Sequence, residues 1–247
     1  RKRLHDLIVE GKNKVGGLVG YAFQATIERC KASGDVFGTK DFVGGLVGLN
    51  LASISECYTE GNVNGASNVG GLCGGGNGTC KNCYSRGNVD GVGIGIAGLI
   101  GGQQNNYTYS SYAIGAVTGS DDATAGVRCN GYPAFENAKN YFDKQATGQS
   151  DDTLDTPCST EEMKRIATFV GWDFENIWGR RADINDGYPY LRWSIKDNLP
   201  NDIDQPLGIN NTIGKRQLKV RKVLREGEII IVTPLNHIYR TDGKKLK

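Results

Sequence analysis

The strongest constraint on this chain is a six-residue phrase that it writes again and again. Val15-Gly16-Gly17-Leu18-Val19-Gly20 returns as Val43-Gly44-Gly45-Leu46-Val47-Gly48 and as Val69-Gly70-Gly71-Leu72-Cys73-Gly74. A looser copy follows as Ile96-Ala97-Gly98-Leu99-Ile100-Gly101. Leu18, Leu46, Leu72 and Leu99 are separated in turn by 28, 26 and 27 residues. A period of this size marks units that bury their apolar faces only by stacking on one another.

A second phrase keeps the same period. It reads Cys30-Lys31-Ala32-Ser33-Gly34-Asp35-Val36, Cys57-Tyr58-Thr59-Glu60-Gly61-Asn62-Val63, Cys83-Tyr84-Ser85-Arg86-Gly87-Asn88-Val89 and Ser111-Tyr112-Ala113-Ile114-Gly115-Ala116-Val117. Alternation puts Cys or Ser, then Ala, Thr or Ser, on one face, and Tyr with the charged residues on the other. Helical repeats need ten or more residues at 3.6 periodicity, whereas these runs are short and broken by glycine. The 36 glycines recur at fixed places, which assigns them to turns of a periodic fold. The expectation is an all-β chain, a right-handed parallel β-helix (β-solenoid) whose coils of about 27 residues each hold two or three strands.

The pattern fades past residue 120. Ala125-Gly126-Val127-Arg128-Cys129 reads as a worn fifth first phrase and Asn140-Tyr141-Phe142-Asp143 as its second. Ser159 and Glu162 have capping-box spacing ahead of Met163, Ile166, Ala167 and Val170, which predicts a helix over 159–170. Aromatic residues then cluster at Trp172, Phe174, Trp178, Tyr188, Tyr190 and Trp193. A solenoid end exposes both core and strand edge and needs a cap. The expected organisation is therefore a repeat solenoid over 1–130, a C-terminal cap over 131–195, a linker over 196–211 and a small β-meander over 212–247. Turns in the last module are expected at Glu226-Gly227 and Asp242-Gly243.

Charge narrows the partners. With 29 basic and 27 acidic residues, nothing calls for nucleic acid. No apolar run is long enough to span a membrane as a helix. The chain starts Arg1-Lys2-Arg3 without Met, and Leu7 to Gly11 reads like the end of an earlier repeat, so we expect part of a longer protein.

Chemistry-bearing residues are sparse. His5 and His237, at opposite ends, are the two histidines, which argues against a His-based triad or a multi-histidine metal site. Cys80-Lys81-Asn82-Cys83 lacks the second ligand pair of a structural zinc site, and no metal or cofactor is expected. Cys30, Cys57 and Cys83 are expected to pack as small apolar groups. A Cys73–Cys80 bridge is weighed beside the metal reading, and the disulfide state of Cys73, Cys80, Cys83, Cys129 and Cys158 stays open. Glu60 is expected to pair with Arg86, and Asp183-Ile184-Asn185-Asp186-Gly187 to form a turn, lacking the distal Glu of a calcium loop. Asp151-Asp152 reads as a solvated loop. Tyr58, Tyr84 and Tyr112, continued by Phe142, should project outward from adjacent coils as an aromatic column. That column is the candidate ligand-binding site, with ladder stacking as its structural alternative.

With these residues in view, the chain resembles the GLUG-motif repeat proteins. The motif's core stands here as Gly17-Leu18-Val19-Gly20, Gly45-Leu46-Val47-Gly48, Gly71-Leu72-Cys73-Gly74 and Gly98-Leu99-Ile100-Gly101. Tyr141-Phe142-Asp143, Phe169-Val170-Gly171-Trp172-Asp173-Phe174 and Asp186-Gly187-Tyr188-Pro189-Tyr190-Leu191 look like segments that trail such repeats. The tail is similar to C-terminal modules on surface proteins of Bacteroidetes-type bacteria. The resemblance implies an extracellular or cell-surface, adhesin-like protein, and similar repeats also sit beside catalytic domains of IgA-cleaving metallopeptidases. The expected function is non-enzymatic binding of a host glycan or protein by a monomer. A carbohydrate-active β-helix enzyme and a structural stalk for an upstream domain are the alternatives.

Overall fold

The computed structural model describes residues 8–103, 107–120, 124–129, 138–150 and 155–195, and in the tail four strands, Arg221–Arg225, Glu228–Val232, Ile238–Arg240 and Lys245–Leu246. His5, His237, the 196–211 linker, Asp151-Asp152, Glu226-Gly227 and Asp242-Gly243 lie outside the described residues. The chain divides into two compact units, Arg1–Asp204 and Gln205–Lys247. In the second, the four strands pair antiparallel in sequence order, which is a meander.

The first unit is a β-solenoid of about four turns built from four parallel sheets. Each full coil contributes a strand to every sheet, four segments rather than the two or three expected. Taking the second coil as the pattern, Val43–Gly44 lies in the first sheet and Val47–Ser55 in the second. Tyr58–Thr59 lies in the third and Val63–Gly65 in the fourth. Register holds equivalent residues in line: Val15, Val43, Val69, Ile96 and Thr124 in the first sheet, and Val9, Val36, Val63, Val89 and Val117 in the fourth.

The repeat leucines point inward. Leu46, Leu72 and Leu99 are fully buried with Val127 from the worn fifth phrase, while Leu18 in the first described coil is 50% exposed. Each buried leucine contributes about 1.5–3 kcal/mol relative to exposure. Valines of the first and fourth sheets form a second, narrower core from Val15 to Val117.

Glycine has a different job from the one expected. None of the glycines in the repeated phrase has positive φ. They sit where backbone meets backbone: a Cβ on Gly17 would stand 2.3 Å from the Gly45 carbonyl oxygen, and one on Gly45 2.2 Å from that of Gly71. One on Gly98 would stand 2.3 Å from that of Gly126. The left-handed corners fall instead on side-chain-bearing residues. Lys14, Phe42 and Asn68, with Gly95, precede the first sheet's strands, and Arg29, Glu56, Asn82, Ser110 and Lys139 precede the third sheet's column. Each such residue costs about 1–2 kcal/mol, offset by the ladder it permits.

The cysteine column is buried as expected at Cys57 and Cys83, and it also serves the corner. The Cys57 thiol donates to the Ser55 carbonyl at 3.1 Å and the Cys83 thiol to Lys81 at 3.2 Å, as the Ser111 hydroxyl does to Tyr109 at 2.8 Å. Backbone N–H groups of neighbouring coils donate into the same column, Cys30 to Cys57 Sγ at 3.4 Å, Cys83 to Ser111 Oγ at 3.0 Å and Ser111 to Asn140 Oδ1 at 3.1 Å. Ser111 therefore reproduces both bonds of the Cys position, while Asn140 keeps the acceptor and turns its amide to the Thr108 carbonyl at 2.9 Å. A second ladder runs along the next turn, where Asp35, Asn62 and Asn88 side chains accept from the N–H groups of Asn62, Asn88 and Ala116.

The far end of the core is closed by charge. Arg128 takes the interior position of Val47, Cys73 and Ile100, and pairs with Asp155 at 3.0 Å with both side chains at most 2% exposed. Asn140 donates to Asp155 at 2.9 Å. Burial holds the Asp155 carboxyl above the usual range, against the pull of Arg128 and Asn140.

The predicted helix over 159–170 is two short pieces, Thr160–Met163 and a 3₁₀ turn Ile166–Thr168. The capping box is there, with the Ser159 hydroxyl accepting from Glu162 N–H and the Glu162 carboxylate accepting from Ser159. The break comes at Arg165, which is extended, and it turns Phe169 into the core beside Met163 while Val170 stays 63% exposed. Burying an aromatic ring outweighs a regular apolar stripe.

These close approaches give a direct test. Gly45→Ala is expected to lose roughly 2–4 kcal/mol in urea unfolding, since the neighbouring carbonyl must move. Gly148→Ala meets nothing within 4 Å and suffers only its φ of 73°, so it should lose about 1 kcal/mol. Equal losses would refute the close-approach account.

Candidate functional site

Tyr58, Tyr84 and Tyr112 stack in parallel register, with ring centroids 4.7 and 5.0 Å apart and planes within 11° and 3°. The column points away from the solenoid interior, as alternation requires. It continues at Tyr141, not at Phe142. Asn140 occupies the Cys position, so Phe142 falls one place later, in the interior line of Thr59, Ser85 and Ala113. Its ring fits because Gly126 has no side chain: a Cβ there would stand 2.3 Å away.

The column is not an exposed face. Tyr58, Tyr84 and Tyr112 are 7%, 2% and 0% exposed, because the C-terminal cap lies over them. Trp178 stands 6.1 Å from Tyr84 and 5.9 Å from Tyr112, Trp193 5.8 Å from Tyr58, and Phe169 and Trp172 5.1 and 5.7 Å from Tyr141. Polar contacts pin the same surfaces. The Tyr112 hydroxyl donates to the Pro189 carbonyl at 2.5 Å and accepts from Asn185 Nδ2 at 2.8 Å. Trp193 Nε1 donates to the Glu56 carbonyl at 2.8 Å, and the Tyr188 hydroxyl to Asp143 at 2.7 Å. The rings gain more from indoles than from water, each burying roughly 150–250 Å². Local patterning cannot show this, since the covering residues come from far along the chain.

Charge pairing differs likewise. Glu60 pairs with Lys31 at 2.6 Å, not with Arg86. Arg86 donates to Asn185 at 2.7 Å and forms an ion pair with Asp186, so the Asp183–Gly187 segment is a turn that clamps the cap. Asn185, Asp186 and Gly187 are all left-handed there.

Metal ligands do not assemble among the described residues. No group of three His, Cys, Asp or Glu there is placed to hold a metal. All seven cysteines are free, and the weighed Cys73–Cys80 bridge is a contact between thiols with sulfurs 4.0 Å apart. Cys80 and Cys83 straddle the corner at Asn82, Cys80 facing the interior beside Ile54 and Thr108. Burial pushes the Cys57 thiol up to about 12 and that of Cys158 to about 11. Cys80, through its contact with Cys73 and then burial, and Cys83, through burial, also rise well above the ordinary thiol range. Such thiols are not thiolates at neutral pH.

The exposed aromatic surface lies on the second sheet, the one with the longest strands. In Val19–Glu28, Tyr21 is 47% and Phe23 56% exposed, with ring centroids 6.2 Å apart and Lys14 Nζ 5.0 Å above the Tyr21 ring. Leu49 and Leu51 lie beside them in the next coil, half-buried. Further along the strands, Thr26, Ser53, Thr79 and Tyr107 form one outward row, and Glu28, Ser55, Lys81 and Tyr109 another. Tyr107 and Tyr109 form a second pair at 6.4 Å with planes 3° apart. Nothing in the repeated phrases points to this face. Its signal was present as Tyr-x-Phe and Tyr-x-Tyr spacing outside the repeated phrases, in strands that alternate buried and exposed.

Comparison with known proteins agrees with this architecture. Residues 13–36 match the family described as the GLUG motif, so the chain carries the motif that its repeats resemble. A 101-residue stretch is 35% identical to a "Putative Gly-rich membrane protein" of Evansella cellulosilytica, covering 38% of this chain and 11% of that protein. The chain thus spans about a tenth of that relative's length. Its fold is similar to that of a "putative immunoglobulin A1 protease" from Bacteroides ovatus. The TM-score is 0.55 at 22% identity, over 77% of this chain and 69% of that one. At that identity the likeness is one of fold.

Two measurements check the site's chemistry. These thiols ionise less readily folded than unfolded, so the stability they bring is complete below the unfolded thiol pKa of about 8.5. It is lost as pH rises toward the folded values of about 11 and 12. The urea midpoint should therefore fall steadily above about pH 9, and a thiol reagent at pH 8 should label the half-buried Cys30 well before the buried six. Rapid labelling of Cys80 or Cys83 in the native chain would contradict the packing. Separately, Trp178→Ala should cost roughly 3–5 kcal/mol, since it uncovers Tyr84 and Tyr112.

Proposed function

We propose that this chain is a non-enzymatic binding region of a cell-surface or secreted protein, adhesin-like in that a rigid β-solenoid face engages a ligand outside the cell. The observation that carries the reading is the exposed Tyr21–Phe23 pair on a sheet whose neighbouring strands hold it in register. Large apolar side chains left in water on a rigid surface mark an interaction site. The Evansella relative's description as a "Putative Gly-rich membrane protein" is consistent with a place at the cell surface. Buried thiols of raised pKa and acids engaged in ion pairs support a binding rather than a catalytic role.

A stalk is the second reading, favoured by the small share of the Evansella relative that the chain covers. The two are separated by probing an array of glycans and host-matrix proteins with the purified chain. Binding that falls about tenfold (1.4 kcal/mol) in a Tyr21→Ala, Phe23→Ala variant is expected. No binding to any array component would leave the stalk reading.

A further inference from the structure

The long-strand face has more than one aromatic pair, and beyond Leu49 and Leu51 at the first pair what lies between them is polar. Tyr21 and Phe23 stand in the first described coil, and Tyr107 and Tyr109 in the fourth, three strand spacings or about 14 Å away across the sheet. Along the strand direction the nearest members, Phe23 and Tyr107, are offset by the two residues from Leu51 to Ser53, about 7 Å, so the diagonal between these two rings is roughly 16 Å. Leu49 and Leu51, half-buried, adjoin the first pair, and the rest of the floor is made of small hydroxyl side chains, Thr26, Ser53, Ser55 and Thr79, with Thr79 Oγ1 donating to Ser53 Oγ at 3.2 Å. Charge on it is slight, with Glu28 beside Arg29 in the first coil and Lys81 two coils along the same row, next to Tyr109.

We propose that this face binds an extended, uncharged oligosaccharide, laid diagonally so that sugar rings stack on Tyr21–Phe23 at one end and on Tyr107–Tyr109 at the other. The proposal rests on the binding reading above and names its ligand class and footprint. A sugar ring presents apolar C–H faces and a rim of hydroxyls. Flat aromatic side chains match the first, and hydroxyls that both donate and accept match the second. A protein partner would want a desolvated apolar centre, and here the centre is polar while the aromatics stand at the ends. A nucleic acid would want a stripe of cations, which Lys14, Arg29 and Lys81 do not make. The span sets the size: a short oligosaccharide reaches both pairs and a disaccharide reaches one.

Titration calorimetry on the full chain with cello-, xylo-, laminari- and chito-hexaose, each beside its disaccharide, tests this. At least one hexasaccharide should bind, and its disaccharide should bind about tenfold more weakly. Tyr21→Ala, Phe23→Ala and Tyr107→Ala, Tyr109→Ala double variants should each weaken the hexasaccharide about tenfold at unchanged Tm. Phe23→Trp should retain binding, and Phe37→Ala, 41% exposed on another sheet, should not alter it. Hexasaccharide binding indifferent to both pairs overturns the footprint. Failure of every oligosaccharide while a matrix protein binds through Tyr21 and Phe23 overturns the ligand class and leaves the binding reading intact. Failure of sugars and proteins alike removes both.

Discussion

Backbone of one coil lies against backbone of the next, and the other features of the solenoid are fitted around that approach. A Cβ on the second glycine of the phrase would stand only 2.2–2.3 Å from the carbonyl oxygen one coil along. Any side chain there would push the coils apart and break the ladders on either side. Once glycine sets the spacing, Leu46, Leu72 and Leu99 are forced into one interior line. The corners must then turn tightly, and non-glycine residues accept left-handed backbone to do it. Cys and Ser at the next position quiet the corner by bonding both within the coil and between coils, and Asn140 there bonds to the coil before it. Packing, turn and side-chain chemistry are consequences of one distance.

A stack of identical layers has no internal reason to stop, so its end needs separate chemistry. Here the interior line ends in Arg128, matched by Asp155 and Asn140. A buried pair of this kind adds little net stability against a well-packed apolar group, but it is costly to break by halves. It therefore defines an end more than it strengthens one. The cap adds the stability by another route, covering the outward tyrosines with Trp172, Trp178 and Trp193. The tyrosine ladder is the place where a repeat surface and a non-repeat segment recognise each other.

Much of this was legible in the repeats. The period fixed parallel stacking, and alternation sorted Cys57 and Thr59 inward from Tyr58. What it could not supply was the third dimension. Tyr112 and Pro189 are 77 residues apart, and nothing local tells an outward tyrosine whether water or indole covers it. The glycines were misread for a related reason, since composition counts them and only coordinates show what a Cβ would strike. The helix failed because a capping box starts a helix without guaranteeing its length, and Phe169 was worth more in the core. Tyr21 and Tyr107 went unnoticed because they stand outside the repeated phrases, where periodicity has nothing to say.

That last point bears on function. Residues that recur from coil to coil are under the demands of stacking, and past Leu18 in the first described coil they are buried: leucines inside, tyrosines beneath the cap. Residues free of the repeat are the ones a coil can vary without disturbing its neighbours. Tyr21, Phe23, Tyr107 and Tyr109 lie on strands whose register is set by residues such as Ile27, Ile54 and Cys80 beneath them. Their backbone is ordered before any ligand arrives, so binding there forfeits little conformational entropy. A solenoid can thus hold a recognition surface in place using one set of residues and write its specificity with another.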